Sequence, residues 1–282
     1  MGYAVGIDLG STTAKFTAKG ERGLASQSRP AIRQEALVGR GLEAFLAWAE
    51  IGREEVERVA LTGVRTAAFT HSVLGLPTCT VPEFEAIGRG GLALSDGLER
   101  ALVVSLGTGT ALVLAGPEGC NHLGGSGIGG GTLTGLGMLL LGEKNPEHIG
   151  ALAARGRADL VDLMMSDLCD GDLPTLSRDL TASNFGHISP DARREDLALG
   201  LVTMILQSAG CQALFALRHT QLKDVVLTGS LTRLPQAKEQ FEFMSASFGL
   251  NFRIPGELAP YATALGAVVC PEQVRTQIGS ER

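Results

Sequence analysis

Two short stretches carry the backbone and hydroxyl groups that phosphate binding requires. One is Gly10-Ser11-Thr12-Thr13, which follows an apolar run ending at Asp8; the other is Gly107-Thr108-Gly109-Thr110, between two apolar runs. Between residues 124 and 135 lie seven more glycines, leading into an apolar helix start. Glycine packs nothing and costs conformational entropy, so this many between well-patterned segments imply backbone brought close to something. N–H groups in tight turns and at helix N-termini are the ordinary way to hold a phosphate. A second chemical feature is the pair Glu83 and Glu85, which flanks Phe84 directly after Pro82. The pair falls where a helix begins, and a carboxylate there is stabilised by the helix dipole. On the residues alone, capping accounts for it.

The elements that must position these groups follow from periodicity. Residues 3–8 read as a buried strand and residues 10–20 as a turn and a second strand, hence a hairpin. This is not a Walker loop, since GxxxxGK(S/T) is absent and a strand follows where a helix should. A plain hairpin turn accounts for the segment equally well. Residues 101–106 and 110–115 form a second such hairpin. Helical spacing is found at 35–49, 67–74, 86–94, 133–141, 146–156, 194–219, 235–248 and 261–269, with 194–219 the longest. Further strands are expected at 57–61, closed by Thr62-Gly63, at 78–81, at 224–227, before the turn Thr228-Gly229-Ser230, and at 251–254. Residues 180–187 read as irregular. The alternation predicts an α/β chain in two lobes, 1–97 and 98–282, each opening with a hairpin and facing the other across a cleft.

Bulk properties narrow the class. A content of 44% hydrophobic and 19% charged residues is that of a globular protein. The net charge of −6 argues against a nucleic-acid-binding surface but leaves nucleotide binding open. The five cysteines, Cys79, Cys120, Cys169, Cys211 and Cys270, are scattered without a CxxC, as expected for reduced thiols in the cytoplasm. No basic n-region with an apolar segment opens the chain, so no signal peptide is expected. No window of about 18 uninterrupted apolar residues is present, so no membrane span is expected either.

Asp8-Leu9-Gly10-Ser11-Thr12-Thr13, Gly107-Thr108-Gly109-Thr110 and Leu227-Thr228-Gly229-Ser230, in that order, resemble the three nucleotide motifs of the actin-like ATPase superfamily. Within it the chain looks like a type II pantothenate kinase. The likeness runs from Asp8 to Lys15, through Glu83-Phe84-Glu85-Ala86 and Ser105 to Thr110. It continues along Gly124 to Gly131, Gly135-Leu136-Gly137 and Asp179 to His187, then closes with Thr228-Gly229-Ser230 and Ala264 to Ala267. It covers roughly the whole chain, and Asp179 to His187 is its most telling part, because generic nucleotide binding does not require it.

The resemblance implies a two-lobed actin-like ATPase (ribonuclease H-like) fold with a nucleotide cleft between the lobes. It implies ATP and Mg²⁺ as cofactors and pantothenate as the acceptor, phosphorylated on its primary hydroxyl in the first step of coenzyme A synthesis. Asp8 would hold Mg²⁺ through water, and Asp8, Leu9, Gly10, Ser11, Thr12, Thr13, Ala14 and Lys15 would cradle the β- and γ-phosphates. Thr108 would take the phosphate from the other lobe and touch the substrate. Gly130, Gly131, Thr132, Leu133 and Thr134 would contact the nucleotide, with Gly229 and Ser230 against adenosine. Glu83 would be the general base, and His122, Gly124 and Gly125 would line the substrate. A homodimer in the cytoplasm, with residues 194–219 at its interface, would complete the picture.

This chain departs from the family pattern in two places. Ser11 stands where the family has Gly, and His122 stands where it has an Arg that contacts the pantothenate end. A histidine lacks the guanidinium fork that grips a carboxylate in bidentate fashion. Arg65 and Arg89 are the candidates to supply that charge. Two other readings share the nucleotide site. One is a kinase for an amino sugar or another hydroxyl compound, although such enzymes usually offer Asp as base. The other is an ATP-binding activator of a radical dehydratase, whose opening resembles residues 6–15. Those activators bridge a 4Fe–4S cluster with paired cysteines, and Cys120 lacks the expected partner.

Overall fold

The computed structural model describes residues 2–32, 34–66, 69–168 and 177–278. The first half holds β1 (Tyr3–Leu9), β2 (Thr13–Gly20), β3 (Gly23–Pro30), α1 (Ala36–Ala49), β4 (Val56–Thr62), β5 (Thr78–Thr80) and α2 (Glu83–Ala93). Next come β6 (Ala101–Leu106), β7 (Thr110–Gly116), β8 (Gly119–Ser126), α3 (Gly130–Leu141) and α4 (Pro146–Ala153). Then follow β9 (Leu163–Met164), the short α5 (Met165–Leu168), β10 (Thr181–Ser183) and α6 (Arg194–Leu217). The chain closes with β11 (Asp224–Thr228), α7 (Pro235–Phe248), β12 (Asn251–Arg253), α8 (Ala262–Val269) and β13 (Thr276–Gln277).

Packing divides the chain into two units. The first comprises residues 1–103, 113–123 and 255–282; the second comprises 104–112 and 124–254. The sequence suggested one boundary, between residues 97 and 98. The first crossing falls close to it, after Val103, but the chain then crosses back at Val113 and again at Pro255. Both returns have a packing cause. Strands β7 and β8 each hold residues of both units, and the C-terminal helix α8 packs on α2 and β1 of the first.

The first unit is built on a six-stranded sheet ordered β13-β5-β4-β1-β2-β3. Strands β1, β4 and β5 are parallel, while β2 and β3 are antiparallel additions. Every residue of β1 is buried, which is why it reads as one continuous apolar run. Phe16 of β2 stacks on Phe45 of α1 with ring centroids 5.4 Å apart, in a core that includes Ile7, Leu9, Leu42 and Leu61. On the other face α2 and α8 meet backbone to backbone. Gly90 sits against the carbonyl of Ala262, and Gly266 against that of Ala86.

A five-stranded sheet is ordered β12-β11-β6-β7-β8. Helix α6 of the second unit runs against α3, α4 and α7. It is long and apolar enough to cross a membrane by length and composition, yet Leu201, Val202, Ile205, Leu206, Ala209 and Ala213 are all buried inside the unit. Its start is pinned by Asp196, fully buried, whose carboxylate accepts the N–H of Arg157 (2.8 Å) and of Arg193 (2.7 Å). Replacing Asp196 by Ala leaves both donors unpaired and is expected to cost about 1–3 kcal/mol, read as a lower urea midpoint at unchanged slope.

Several elements differ from the sequence expectation. Strands β3 and β8 had no apolar signal, because β3 is a half-exposed edge with Ser26, Gln27 and Ser28, and β8 is glycine-rich and mostly exposed. Residues 180–187 contain β10, paired antiparallel with β9. Helix α2 begins at Glu83 rather than at 86, and α3 at Gly130 rather than at 133. Of the helix expected at 67–74, the described residues carry a 3₁₀ turn at Val73–Gly75; Ala67 and Ala68 lie outside the described residues. Cys169 also lies outside them.

Candidate active site

The ends of the parallel strands in the first unit assemble one cluster of candidate groups. Asp8 pairs in register with Thr62, Leu61 pairs with Thr80, and the Val81 N–H donates to the Leu61 carbonyl at 2.8 Å. The segments after β1, β4 and β5 therefore leave the sheet side by side. In α/β sheets this carboxyl edge is where ligands bind. Asp8 is 8% exposed and lies across the hairpin from Lys15. Burial pushes its carboxyl above the ordinary range, and the Lys15 ammonium partly offsets this. The turn beyond it leaves Ser11 and Thr12 exposed. A Cβ at Gly10 would lie 2.8 Å from the Thr13 carbonyl, so glycine is needed to close the turn.

The two members of the acidic pair have separate surroundings. Glu85 accepts from Arg89 Nε at 2.8 Å and from the Cys120 N–H at 3.2 Å, tying α2 to β8. Glu83, half-buried in the first turn of α2, has its proton affinity raised by burial and then by the nearby Asp8 charge. Glu85 is held by partners on α2 and β8, whereas Glu83 lies within reach of the Asp8 charge.

His122 stands on β8, and its ring lies flat on Phe84, with centroids 3.7 Å apart and planes 6° from parallel. That contact places it beside the residue following Glu83. Arg89 is occupied by Glu85 and also reaches the Gly116 carbonyl at 3.4 Å. Arg65 occupies the turn after β4.

The remaining candidates lie in the second unit. Gly107, Thr108 and Gly109 form the turn between β6 and β7, and the first turn of α3 packs directly on it. The Gly130 N–H donates to the Gly107 carbonyl and the Gly131 N–H to the Thr108 carbonyl, each at 2.8 Å. A Cβ at Gly129 would lie 2.8 Å from the Thr108 carbonyl, and one at Gly125 would strike the Thr110 carbonyl. Much of the glycine run thus exists to lay one backbone on another. Thr132 and Thr134 turn their hydroxyls to the Gly127 and Gly130 carbonyls, at 3.1 and 2.9 Å, and Leu133 is fully buried. Gly124, at φ +134°, has open space where its side chain would be. Gly229, at φ +93°, packs on the Leu106 backbone, and Ser230 beside it is exposed.

Each unit repeats one six-residue turn that sequence reading marked only once. Leu61-Thr62-Gly63-Val64-Arg65-Thr66 follows β4 in the same way that Leu227-Thr228-Gly229-Ser230-Leu231-Thr232 follows β11. The closing threonine hydroxyl bonds back to the glycine carbonyl at 2.8 Å in one copy and 2.7 Å in the other. The glycines have φ of +104° and +93°, and they pack on the backbones of Leu9 and Leu106. Thr62 and Thr228 are both fully buried, with hydroxyls that lack a hydrogen-bond partner among the described residues. The signal was available as Leu-Thr-Gly-x-x-Thr, which occurs once after each Leu-Gly-x-x-Thr hairpin turn.

The asparagine-containing segment is also explained. Asp162, fully buried, accepts the Phe185 N–H at 2.8 Å and, more loosely, the Asn184 amide at 3.4 Å. Asn184 and Thr181 also bond to Gln207 of α6, at 3.1 and 3.0 Å. Its polar residues brace the second unit from within.

Comparison with known proteins shows the family and the fold. The Fumble family model matches residues 99–253, more than half of the chain. The type II pantothenate kinase of Staphylococcus saprophyticus is 26% identical over 236 residues, spanning 80% of this chain and 84% of the relative. That of Staphylococcus aureus is 24% identical over 234 residues with the same coverage. Among solved structures, the activator of the 2-hydroxyisocaproyl-CoA dehydratase from Clostridium difficile with bound ADPNP superposes with a TM-score of 0.65 at 16% identity, covering 94% of this chain and 92% of that one. Component A of the (R)-2-hydroxyglutaryl-CoA dehydratase of Acidaminococcus fermentans gives 0.64 at 16%, covering 95% and 96%. At such identities the likeness shows the fold, which is the two-lobed α/β architecture of the actin-like ATPases and sugar kinases.

Proposed function

The chain belongs to the Fumble family, and from that premise we propose that it is an ATP-dependent pantothenate kinase acting in coenzyme A synthesis. The observation that carries the reading is Glu83, a half-buried carboxyl of raised proton affinity beside Asp8 at the carboxyl edge of the sheet. The names of the curated relatives support the acceptor. Glu83 takes the proton from the primary hydroxyl as that oxygen attacks the γ-phosphoryl group, and the bond from the γ-phosphorus to the bridging oxygen breaks to release ADP. Gly10 to Lys15 and Thr108 bind phosphate, Gly130 to Thr134 with Gly229 and Ser230 bind the nucleoside end, and His122, Gly124 and Gly125 line the acceptor. Phosphoryl transfer is mostly positioning and charge neutralisation, so one base and a set of N–H, hydroxyl and ammonium donors are enough.

The residues fit Mg²⁺. Among the described residues no group of three or more His, Cys, Asp or Glu could form a protein cage for a metal. Mg²⁺ keeps most of its waters and needs only one or two carboxylates beside the phosphates. Asp8 would hold it, and the ion would neutralise charge on the transferred group.

The test is product formation from Mg-ATP over a panel of small alcohols. Phosphopantothenate is the expected product; turnover of a different alcohol alone would remove the acceptor assignment and keep the kinase. The pH profile gives a second test. A base must be deprotonated to act, so kcat/KM should fall as pH drops through the Glu83 pKa. Since burial and Asp8 raise that pKa, this acid limb should lie above the ordinary carboxylate range.

The dehydratase activators among the structural neighbours suggest a second reading. Cys120 opposes it. Those activators bridge their cluster with paired cysteines, and Cys120 lacks the expected partner. Iron analysis of the purified protein is expected to find none. The reading extends to a cytoplasmic homodimer, checked by light scattering against the 29.4 kDa chain. Helix α6 is mostly interior, so its exposed Phe215, rather than the helix at large, is available to a second subunit.

A further inference from the structure

Helix α2 carries Glu83 at its weakest point. Glu83 is the first residue of the helix, and Pro82 before it makes no side-chain hydrogen bond to the helix start. Proline has no side-chain oxygen to offer, and the first N–H groups of a helix have no partner within it. Helix ends without such support fray, and a carboxylate on a fraying turn holds no fixed direction.

Anchors from two other elements flank Glu83 instead. Before it, Val81 is buried, and its N–H donates to the Leu61 carbonyl of β4 at 2.8 Å. After it, Phe84 and Glu85 are both held by β8. The His122 ring lies flat on the Phe84 ring, with 3.7 Å between centroids, and Glu85 accepts the Cys120 N–H at 3.2 Å. The same contact continues one turn along the helix. A Cβ at Gly88 would strike Cys120 Sγ, and Arg89 reaches the Gly116 carbonyl of β7 at 3.4 Å. Residues 84, 85, 88 and 89 thus make one face of α2, laid on β7 and β8. Phe84 stays 39% exposed, too open to act as a core anchor, so its stack on His122 is the contact that matters.

We propose that Phe84 and His122 are positioning residues, whose stack fixes the first turn of α2 against β8 and so aims the Glu83 carboxylate. The inference rests on the kinase reading and adds to it what holds the base in line. The experiment measures kcat and KM for wild type, Phe84→Ala, Phe84→Tyr, His122→Ala and the double Ala variant. The acceptor is whichever alcohol the substrate panel shows to be phosphorylated, and Phe84→Ala is measured again in a Glu83→Gln background. Phe84→Ala is expected to lower kcat roughly 10- to 100-fold, the scale of loss when a reacting group is displaced by about 1 Å. KM for Mg-ATP should move by less than about threefold. The double variant should be within about threefold of the slower single one, because both substitutions break one contact. Phe84→Tyr keeps the ring and should recover most of the loss. In the Glu83→Gln background, Phe84→Ala should cost less than about threefold, since no base is left to aim.

An undiminished kcat, a loss confined to KM for the acceptor, or a Phe84→Tyr variant as slow as Phe84→Ala would each overturn the proposal. So would an equal loss in the Glu83→Gln background, which would mean that Phe84 supports the fold at large. If Glu83→Gln is slow and Phe84→Ala is not, the proposal falls alone. If Glu83→Gln leaves turnover intact, the base assignment fails and the proposal falls with it. If no alcohol is phosphorylated, the kinase reading fails and takes both. Thermal midpoints identify any variant that misfolds, and His122→Ala, at an exposed strand position, then carries the comparison.

Discussion

Glu83→Gln is expected to lower kcat by roughly 10²- to 10⁴-fold, the range for removing a general base, while nucleotide affinity, measured by calorimetry, is nearly unchanged. The substitution keeps the shape of the side chain and removes only its ability to accept a proton. Stability should move the other way. The folded-state pKa of Glu83 is raised, so the ionised form is the disfavoured one in the fold, and stability from this group is present at low pH and lost as pH rises through that pKa. At neutral pH the neutral Gln therefore relieves burial and repulsion from Asp8, and the melting temperature should hold or rise. A carboxylate that merely capped α2 would show the reverse, with turnover intact and about 0.3–1 kcal/mol of helix–dipole stabilisation lost. The two outcomes share no overlap.

Gly90→Ala is expected to destabilise the chain by at least about 3 kcal/mol, at the upper end for overpacking. The new methyl would fall on the Ala262 carbonyl, and a backbone carbonyl in a packed helix cannot rotate aside as a flexible side chain could. Gly266→Ala meets the Ala86 carbonyl in the same interface and should behave alike. Because α2 begins with Glu83, the misfit should also reduce activity in whatever fraction stays folded. The matching control is Gly135→Ala in α3, where a Cβ meets nothing within 4 Å. There the ordinary helix preference of Ala should stabilise by up to about 1 kcal/mol. Urea midpoints of the three variants check the contrast. A Gly90→Ala protein as stable as wild type would show that α2 and α8 do not pack as described.

The two tests also separate what was readable in advance from what was not. Glycine and hydroxyl residues at the strand ends were legible because such turns admit few residue types. The buried parallel strands β1 and β6 were legible because burial on both faces demands unbroken apolar runs. Strand β8 was not, since an exposed glycine-rich strand is specified by its pairing rather than by its own side chains. The duplicated turn was legible in principle, as six residues repeated after two like hairpins. Periodicity does not reveal it, because a buried threonine and a left-handed glycine carry no repeating pattern.

The sequence by itself determined the α/β class, the two phosphate-type hairpins and the identity of the residues near the proposed chemistry. Those features are local, fixed by side-chain period and by the backbone freedom that only glycine has. Tertiary structure alone decided which of the two carboxylates flanking Phe84 is engaged by an arginine among the described residues. Glu85 is consumed by Arg89 and β8, while Glu83 is left beside Asp8, a residue 75 positions earlier. It also decided that Arg89 is paired with Glu85, that His122 rests on Phe84, and that the turn carrying Arg65 leaves the sheet between those leading to Glu83 and to Gly10. Proton affinity and charge pairing depend on burial and on neighbours from distant strands, and strand order is a property of the folded sheet that no local spacing encodes.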